Sequence, residues 1–153
     1  MSHTPNYQHC DYLESLIRTE ELRKVILSMA NALRQYEFDA VAFTGVSGML
    51  IGPGIAMALD KTMIVVRKED GNCDSEGNMI RHSRLDVEGD LGARRYVVVD
   101  ECIATGDTYN RIVQKIKETG CKAECIGAIT EWDVRWGRTG LIAPGMRQPE
   151  PNL

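Results

Sequence analysis

Arg95-Tyr-Val-Val-Val-Asp-Glu-Cys-Ile-Ala-Thr-Gly-Asp-Thr108 is the stretch that decides how the rest of this 153-residue chain is read. Tyr96, Val97, Val98 and Val99 form a short continuous apolar run, mostly β-branched, which suits a strand buried on both faces. Asp100 and Glu101 follow at once, so two acids emerge where that strand ends. Thr105-Gly106-Asp107-Thr108 then opens a helical pattern, and the free N–H groups of a helix N-terminus attract anions by geometry and dipole. Carboxylates at a strand end, beside a cradle for phosphate, suit a sugar phosphate. An ordinary strand-to-helix turn capped by Asp107 is the plainer alternative.

Working outward, the same grammar repeats. Residues 14–36 place Leu22, Val25, Ile26, Met29, Leu33 and Tyr36 on one helical face, with charges opposite. Residues 39–44 read as a buried strand, Ala40-Val-Ala-Phe43, followed by the loop Gly45-Val46-Ser47-Gly48. A glycine pair there permits close backbone approach to a ligand. Residues 49–59 are apolar and helical in composition, with Pro53 early in the helix, where a missing N–H matters least. Met63-Ile-Val-Val66 is the next strand, and it ends in Arg67-Lys68, two cations suited to a diphosphate or merely to solvent. After the signature, residues 107–119 form an amphipathic helix with Ile112, Val113 and Ile116 inward, ended by Gly120. Residues 121–130 supply a last strand, and the tail from Glu131 onward reads as irregular structure. Alternating strands and helices predict an α/β fold with a mostly parallel, Rossmann-like sheet flanked by helices, its ligands beyond the carboxyl ends of the strands.

The stretch 95–108 resembles the diphosphoribose-binding signature of the type I phosphoribosyltransferases: an apolar strand, two acids, a few small or apolar residues, then Thr-Gly-x-Thr. Gly48-Met-Leu-Ile-Gly-Pro-Gly54 and Val65-Val-Arg-Lys68 look like the corresponding region of adenine phosphoribosyltransferases in particular. The resemblance covers roughly residues 38–132 and implies one domain with a small or reduced hood. It further implies transfer of a phosphoribosyl group from phosphoribosyl diphosphate to a nucleobase, with release of pyrophosphate. Asp100 and Glu101 would hold the ribose hydroxyls, directly or through Mg2+ and its waters. Ala104, Thr105, Gly106, Asp107 and Thr108 would hold the 5′-phosphate. The pyrophosphate would fall to Val46, Ser47 and Gly48 with Arg67 and Lys68. Some relatives hold a non-proline cis peptide in that loop, for which Gly45-Val46 is the candidate here.

The resemblance also implies a mobile loop over residues 69–93 that closes on the reacting sugar, with Ser83 and Arg84 as contacts and His82 as a surface residue. Trp132, just after a glutamate at the end of the final strand, stands where adenine-type members stack the base; ordinary core packing is the other reading. Ala104 stands where 6-oxopurine members carry an aspartate, which favours adenine. Ser47 and the Asp100-Glu101 pair depart from adenine-type members, which usually have an arginine and two aspartates there. Family members are commonly homodimers, so the same is expected of this chain.

Composition narrows the alternatives. A net charge of −4 gives no electrostatic footprint for nucleic acid or an anionic membrane. No apolar run approaches a membrane span and the first residues carry no signal-like pattern, so a cytoplasmic location is expected. Five cysteines, Cys10, Cys73, Cys102, Cys121 and Cys125, read as reduced thiols without zinc-like spacing. Residues 1–12 are a frayed end or a small flap, and the tail 133–153 is short for a substrate hood. A non-catalytic phosphoribosyl-diphosphate sensor of the same fold, or transfer to another base, therefore stands beside purine salvage. A synthetase-like diphosphokinase would need two such domains.

Overall fold

The structure, a computed structural model, describes residues 16–68, 74–78, 85–103 and 106–144. At its centre is β1 (Ala40–Thr44), every residue of which is buried. In chain order the described elements are α1 (Thr19–Leu33), β1, α2 (Gly45–Leu59), β2 (Thr62–Val66), β3 (Val87–Gly89), β4 (Arg95–Asp100), α3 (Asp107–Glu118), β5 (Glu124–Thr130) and α4 (Glu131–Arg135). The five strands form one sheet in the order β3-β2-β1-β4-β5. Only β3 runs antiparallel, against β2; the other pairings are parallel. This is the mostly parallel α/β sheet expected from the sequence.

Alternation along β1 divides the core. Val41 and Phe43 face one side with Met29, Leu33, Ile51, Ile55, Val97 and Val99, beneath α1 and α2. Ala40 and Ala42 face the other with Ile64, Val66, Tyr96, Val98, Tyr109, Ile112 and Ile116, beneath α3. Helices on both faces explain why these strands read as unbroken apolar runs rather than alternating ones. On α1, Met29 and Leu33 are fully buried, while Leu22, Val25, Ile26 and Tyr36 pack at the margin of the same core.

The structure corrects several boundaries. The stretch 45–48 is not a loop before a helix: α2 begins at Gly45, directly after β1. Gly45 takes φ +67°, a left-handed turn that a side chain would resist. Two glycines weaken intrinsic helix propensity, which is why the sequence reads as a loop; close packing on the sheet overrides it. No cis peptide occurs among the described residues, so the Gly45–Val46 candidate is trans. In the stretch 69–93, a short strand runs over Val87–Gly89, and residues 69–73 and 79–84 lie outside the described residues. The tail is not wholly irregular, because Glu131–Arg135 forms α4 and Ile142 bridges Ala128. Residues 1–12 and 145–153 also fall outside the described residues.

A register shift positions the site. Arg95 pairs with Glu124 and Tyr96 with Cys125, but Val97 then pairs with Gly127, leaving one extra residue in β5. Such a bulge advances every later pairing by one. Asp100 is thereby paired with Thr130, and the acids at the end of β4 lie beside the start of α4.

Gly52 sets how closely α2 approaches β1: a Cβ there would lie 2.3 Å from Cδ1 of the buried Phe43 ring. Gly52→Ala is expected to cost about 1–3 kcal/mol through overpacking. A Cβ on Gly140 meets nothing within 4 Å, so Gly140→Ala should stay within about 0.5 kcal/mol of the parent. Urea unfolding midpoints of the two variants check the contrast.

Candidate active site

The carboxyl ends of β1, β2 and β4 carry most of the residues singled out from the sequence. Ser47, in the first turn of α2, donates its hydroxyl to Asp100 Oδ1 at 3.2 Å. The Glu101 N–H donates to the same oxygen at 2.8 Å. Lys68 reaches in from the end of β2: a Cβ on Gly45 would meet its Cε at 2.9 Å and its Nζ at 3.1 Å. Burial raises the Asp100 pKa, opposed by those two hydrogen bonds and by the charge of Lys68. Serine, lysine and aspartate, from positions 47, 68 and 100, thus share one corner of the molecule.

Two helices open onto this edge without a side-chain cap. Thr44 precedes α2 with no capping hydrogen bond; its hydroxyl donates instead to the Val66 carbonyl at 2.5 Å, tying β1 to β2. Gly106 precedes α3 at φ +85°, also uncapped. Orphan N–H groups at such ends accept anions. By contrast Thr130 caps α4, its Oγ1 accepting from the Asp133 N–H at 3.1 Å.

Other expected residues fall out differently. Gly48 is buried, and a Cβ there would lie 3.0 Å from Cβ of Phe43, so its smallness serves packing on β1. Val46 is 68% exposed on the outer face of α2. Arg67 is drawn toward β3, its Nη2 bonded to Glu88 Oε2 at 2.9 Å. Asp107 and Thr108 begin α3 and are exposed. Ala104 and Thr105 of the phosphate loop, and Ser83 and Arg84 of the closing loop, lie outside the described residues. Trp132 is half-buried, with its ring centroid 5.9 Å from that of Trp136 at an interplanar angle of 58°.

Glu101 turns inward. It is 8% exposed, and its backbone carbonyl accepts from the Trp132 N–H at 3.0 Å, docking α4 against the signature. Burial first, and then the charges of Asp100 and Glu131, push its carboxyl up to about 7, with Arg135 opposing. Glu131 is itself buried and accepts from Arg135 Nε at 2.8 Å. Cys102 is half-buried, and burial with the neighbouring acids pushes its thiol up to about 11. It therefore stays protonated and unreactive at neutral pH. Cys102, Cys121 and Cys125 are free thiols, as expected; Cys10 and Cys73 lie outside the described residues.

Sequence reasoning missed one contributor. A cleft between the end of β2 and α3 is lined by Thr44, Val66, Arg67, Lys68, Thr108, Arg111 and Ile112. Arg111 lies one turn beyond Thr108 on the same helical face, a spacing visible in the sequence once the helix start is fixed.

Among the described residues no cluster of three or more His, Cys, Asp or Glu side chains could hold a metal. Asp100 nevertheless suits magnesium, which keeps several waters and takes one or two carboxylates together with substrate phosphates rather than a protein cage. Only Oδ1 of Asp100 is engaged by a hydrogen bond among the described residues. No described helix is long and apolar enough to cross a membrane.

The chain is similar to known phosphoribosyltransferases. A hypoxanthine/guanine phosphoribosyltransferase of Methanopyrus kandleri is 28% identical over 110 residues, covering 69% of this chain and 59% of that protein. The chain thus spans little more than half of that relative's length. An adenine phosphoribosyltransferase of Mycoplasma mycoides is 30% identical over 125 residues, covering 76% of this chain and 72% of its own. The crystal structure of a phosphoribosyltransferase from Corynebacterium diphtheriae superposes with a TM-score of 0.61 at 20% identity, covering 80% of this chain and 72% of that one. The family model of the phosphoribosyl transferase domain matches residues 16–139. That match spans most of the chain, and the chain belongs to the phosphoribosyl transferase domain family.

Proposed function

We propose that this chain transfers the phosphoribosyl group of phosphoribosyl diphosphate to a purine base, adenine before hypoxanthine or guanine, releasing pyrophosphate. The observation that carries the reading is Asp100 at the end of β4, held by Ser47 from α2, with Lys68 folded over the start of that helix. In the reaction the bond from C1 to the diphosphate oxygen breaks, its electron pair leaves with pyrophosphate, a ring nitrogen of the base bonds to C1, and that nitrogen's proton passes to pyrophosphate or water. Positive charge develops on the ribose as the old bond breaks, so fixed carboxylates and fixed phosphate partners contribute most.

Asp100 is placed to accept ribose hydroxyls, while Ser47 fixes its rotamer. Magnesium, held through Asp100 and water, would neutralise diphosphate charge. The uncapped start of α2, from Gly45 to Gly48, and Lys68 offer donors to the leaving group. The uncapped start of α3 offers donors to the 5′-phosphate. Arg67 can join only by leaving Glu88. Glu101 is assigned a second place: buried beside Glu131, it tunes the charge of the site and anchors α4. Trp132, carried to this end of the sheet by α4, is the side chain proposed to stack the base. The choice of adenine rests on Ala104, where an aspartate would reach a 6-oxopurine. The homodimer carried over by resemblance is supported by Val46, Met49 and Met57, exposed along α2.

The decisive experiment is pyrophosphate release from phosphoribosyl diphosphate and magnesium, with adenine, guanine, hypoxanthine, xanthine, uracil, orotate and nicotinamide as acceptors. Release is expected with adenine. Binding of phosphoribosyl diphosphate without release from any base would replace transfer by a sensor role. Asp100→Ala with Glu101→Ala should reduce turnover at least about 100-fold while circular dichroism stays unchanged; undiminished turnover would refute the site.

Glu101 also makes stability depend on pH. Its carboxyl stands near 7 in the folded chain against an ordinary 4.5. Between those values the folded chain binds more protons at this group than the unfolded chain, so stability falls as pH rises. The contribution is complete below about pH 4.5 and is lost as pH rises through 7. Urea midpoints of the parent should decline across that window relative to those of Glu101→Gln.

A further inference from the structure

Of the cations around the cleft between β2 and α3, two are already paired. Arg67 binds Glu88 at 2.9 Å, and Lys115, one turn beyond Arg111, lies 3.9 Å from Asp86. Lys68 and Arg111 line the cleft from opposite walls, and neither has a carboxylate within ion-pair distance among the described residues. Between them stand Thr108, whose hydroxyl belongs to the start of α3, and the apolar side chains Val66 and Ile112, both buried. Thr44 holds the floor closed, its hydroxyl committed to the Val66 carbonyl. Two like charges lining one cleft repel, and the apolar Val66 and Ile112 beside them weaken the screening between them. An anion between the two relieves that repulsion.

We propose that Arg111 and Lys68 form a two-cation clamp for a phosphoryl group, making Arg111 a substrate-binding residue of this chain. The proposal rests on the transfer reading for the identity of its ligand, phosphoribosyl diphosphate. A guanidinium presents a planar fork that matches two phosphate oxygens, whereas the lysine acts as a point charge. Arg111 and Thr108 share one face of α3, one helical turn apart, just beyond the uncapped start of that helix at Gly106. The clamp adds affinity for substrate and takes no part in bond breaking, so its loss should fall on KM rather than kcat.

The test titrates the full chain with three probes: phosphoribosyl diphosphate with magnesium, ribose 5-phosphate, and magnesium pyrophosphate. Arg111→Ala should weaken phosphoribosyl diphosphate at least about tenfold, and Arg111→Lys should recover part of the loss. KM for phosphoribosyl diphosphate should rise by a similar factor, with kcat and the affinity for the base within about twofold. The probe that weakens in parallel, ribose 5-phosphate or pyrophosphate, identifies which phosphoryl group is held. Unchanged Kd and KM in Arg111→Ala would overturn the clamp while leaving transfer intact. Arg111-dependent binding without pyrophosphate release from any base would instead support the clamp and remove the transfer reading. Failure of the parent chain to bind all three probes would overturn the clamp outright.

Discussion

The parallel pairing of β1 with β4 is the constraint on which the rest of the structure depends. Ala40 lies beside Tyr96 and Ala42 beside Val98, so both strands end at the same edge of the sheet. The chain leaves β1 directly into α2, and that alone brings Ser47 within 3.2 Å of a carboxylate 53 residues away in sequence. Small residues in β1 and β-branched ones in β4 let the two strands be covered on both faces. The hydrophobic term that buries them is non-directional; the ladder register turns it into a defined meeting of side chains.

Electrostatics at this edge are arranged unevenly. The carboxylates of Asp100, Glu101 and Glu131 gather at the ends of β4 and β5, where burial raises the first two pKa values. Arg135 offsets that crowding through its bond to Glu131, and Arg138 stands 3.7 Å from the buried Asp133. On the other flank Lys68 and Arg111 line one cleft, and no carboxylate lines it among the described residues. The phosphoribosyl transfer proposed above would use such a division, with acids toward the sugar and bases toward the phosphates. The same crowding holds Cys102 as an inert thiol, because a thiolate there would add another negative charge.

Much of this was legible in the residues. Tyr96 to Val99 read as a buried strand, and the two acids at its end followed by Thr-Gly-x-Thr carried the family resemblance before any fold was known. The alternation of apolar runs with 3.6-period segments carried the sheet class, since each pattern permits one way of burial. Gly45 and Gly48 misled because glycine signals a loop, while here the absent side chain of Gly48 lets α2 lie against Phe43. The shortness of α4 hid it, since five residues carry too little periodicity to read.

What the sequence determined by itself was local: which segments are strands or helices, which ends carry acids, cations and hydroxyls, and which family's pattern they resemble. Tertiary structure alone decided which of those groups meet. Arg67 and Lys68 are neighbours in sequence, yet one is bound to β3 and the other leans over α2 toward Asp100. Asp100 and Glu101 are likewise adjacent, yet Ser47 holds the first and the second is buried against α4. Successive side chains at a strand end point to opposite sides, so neighbours in sequence enter different environments. Arg111 gained its place only when α3 packed across the end of β2, a contact between distant segments that no local pattern encodes.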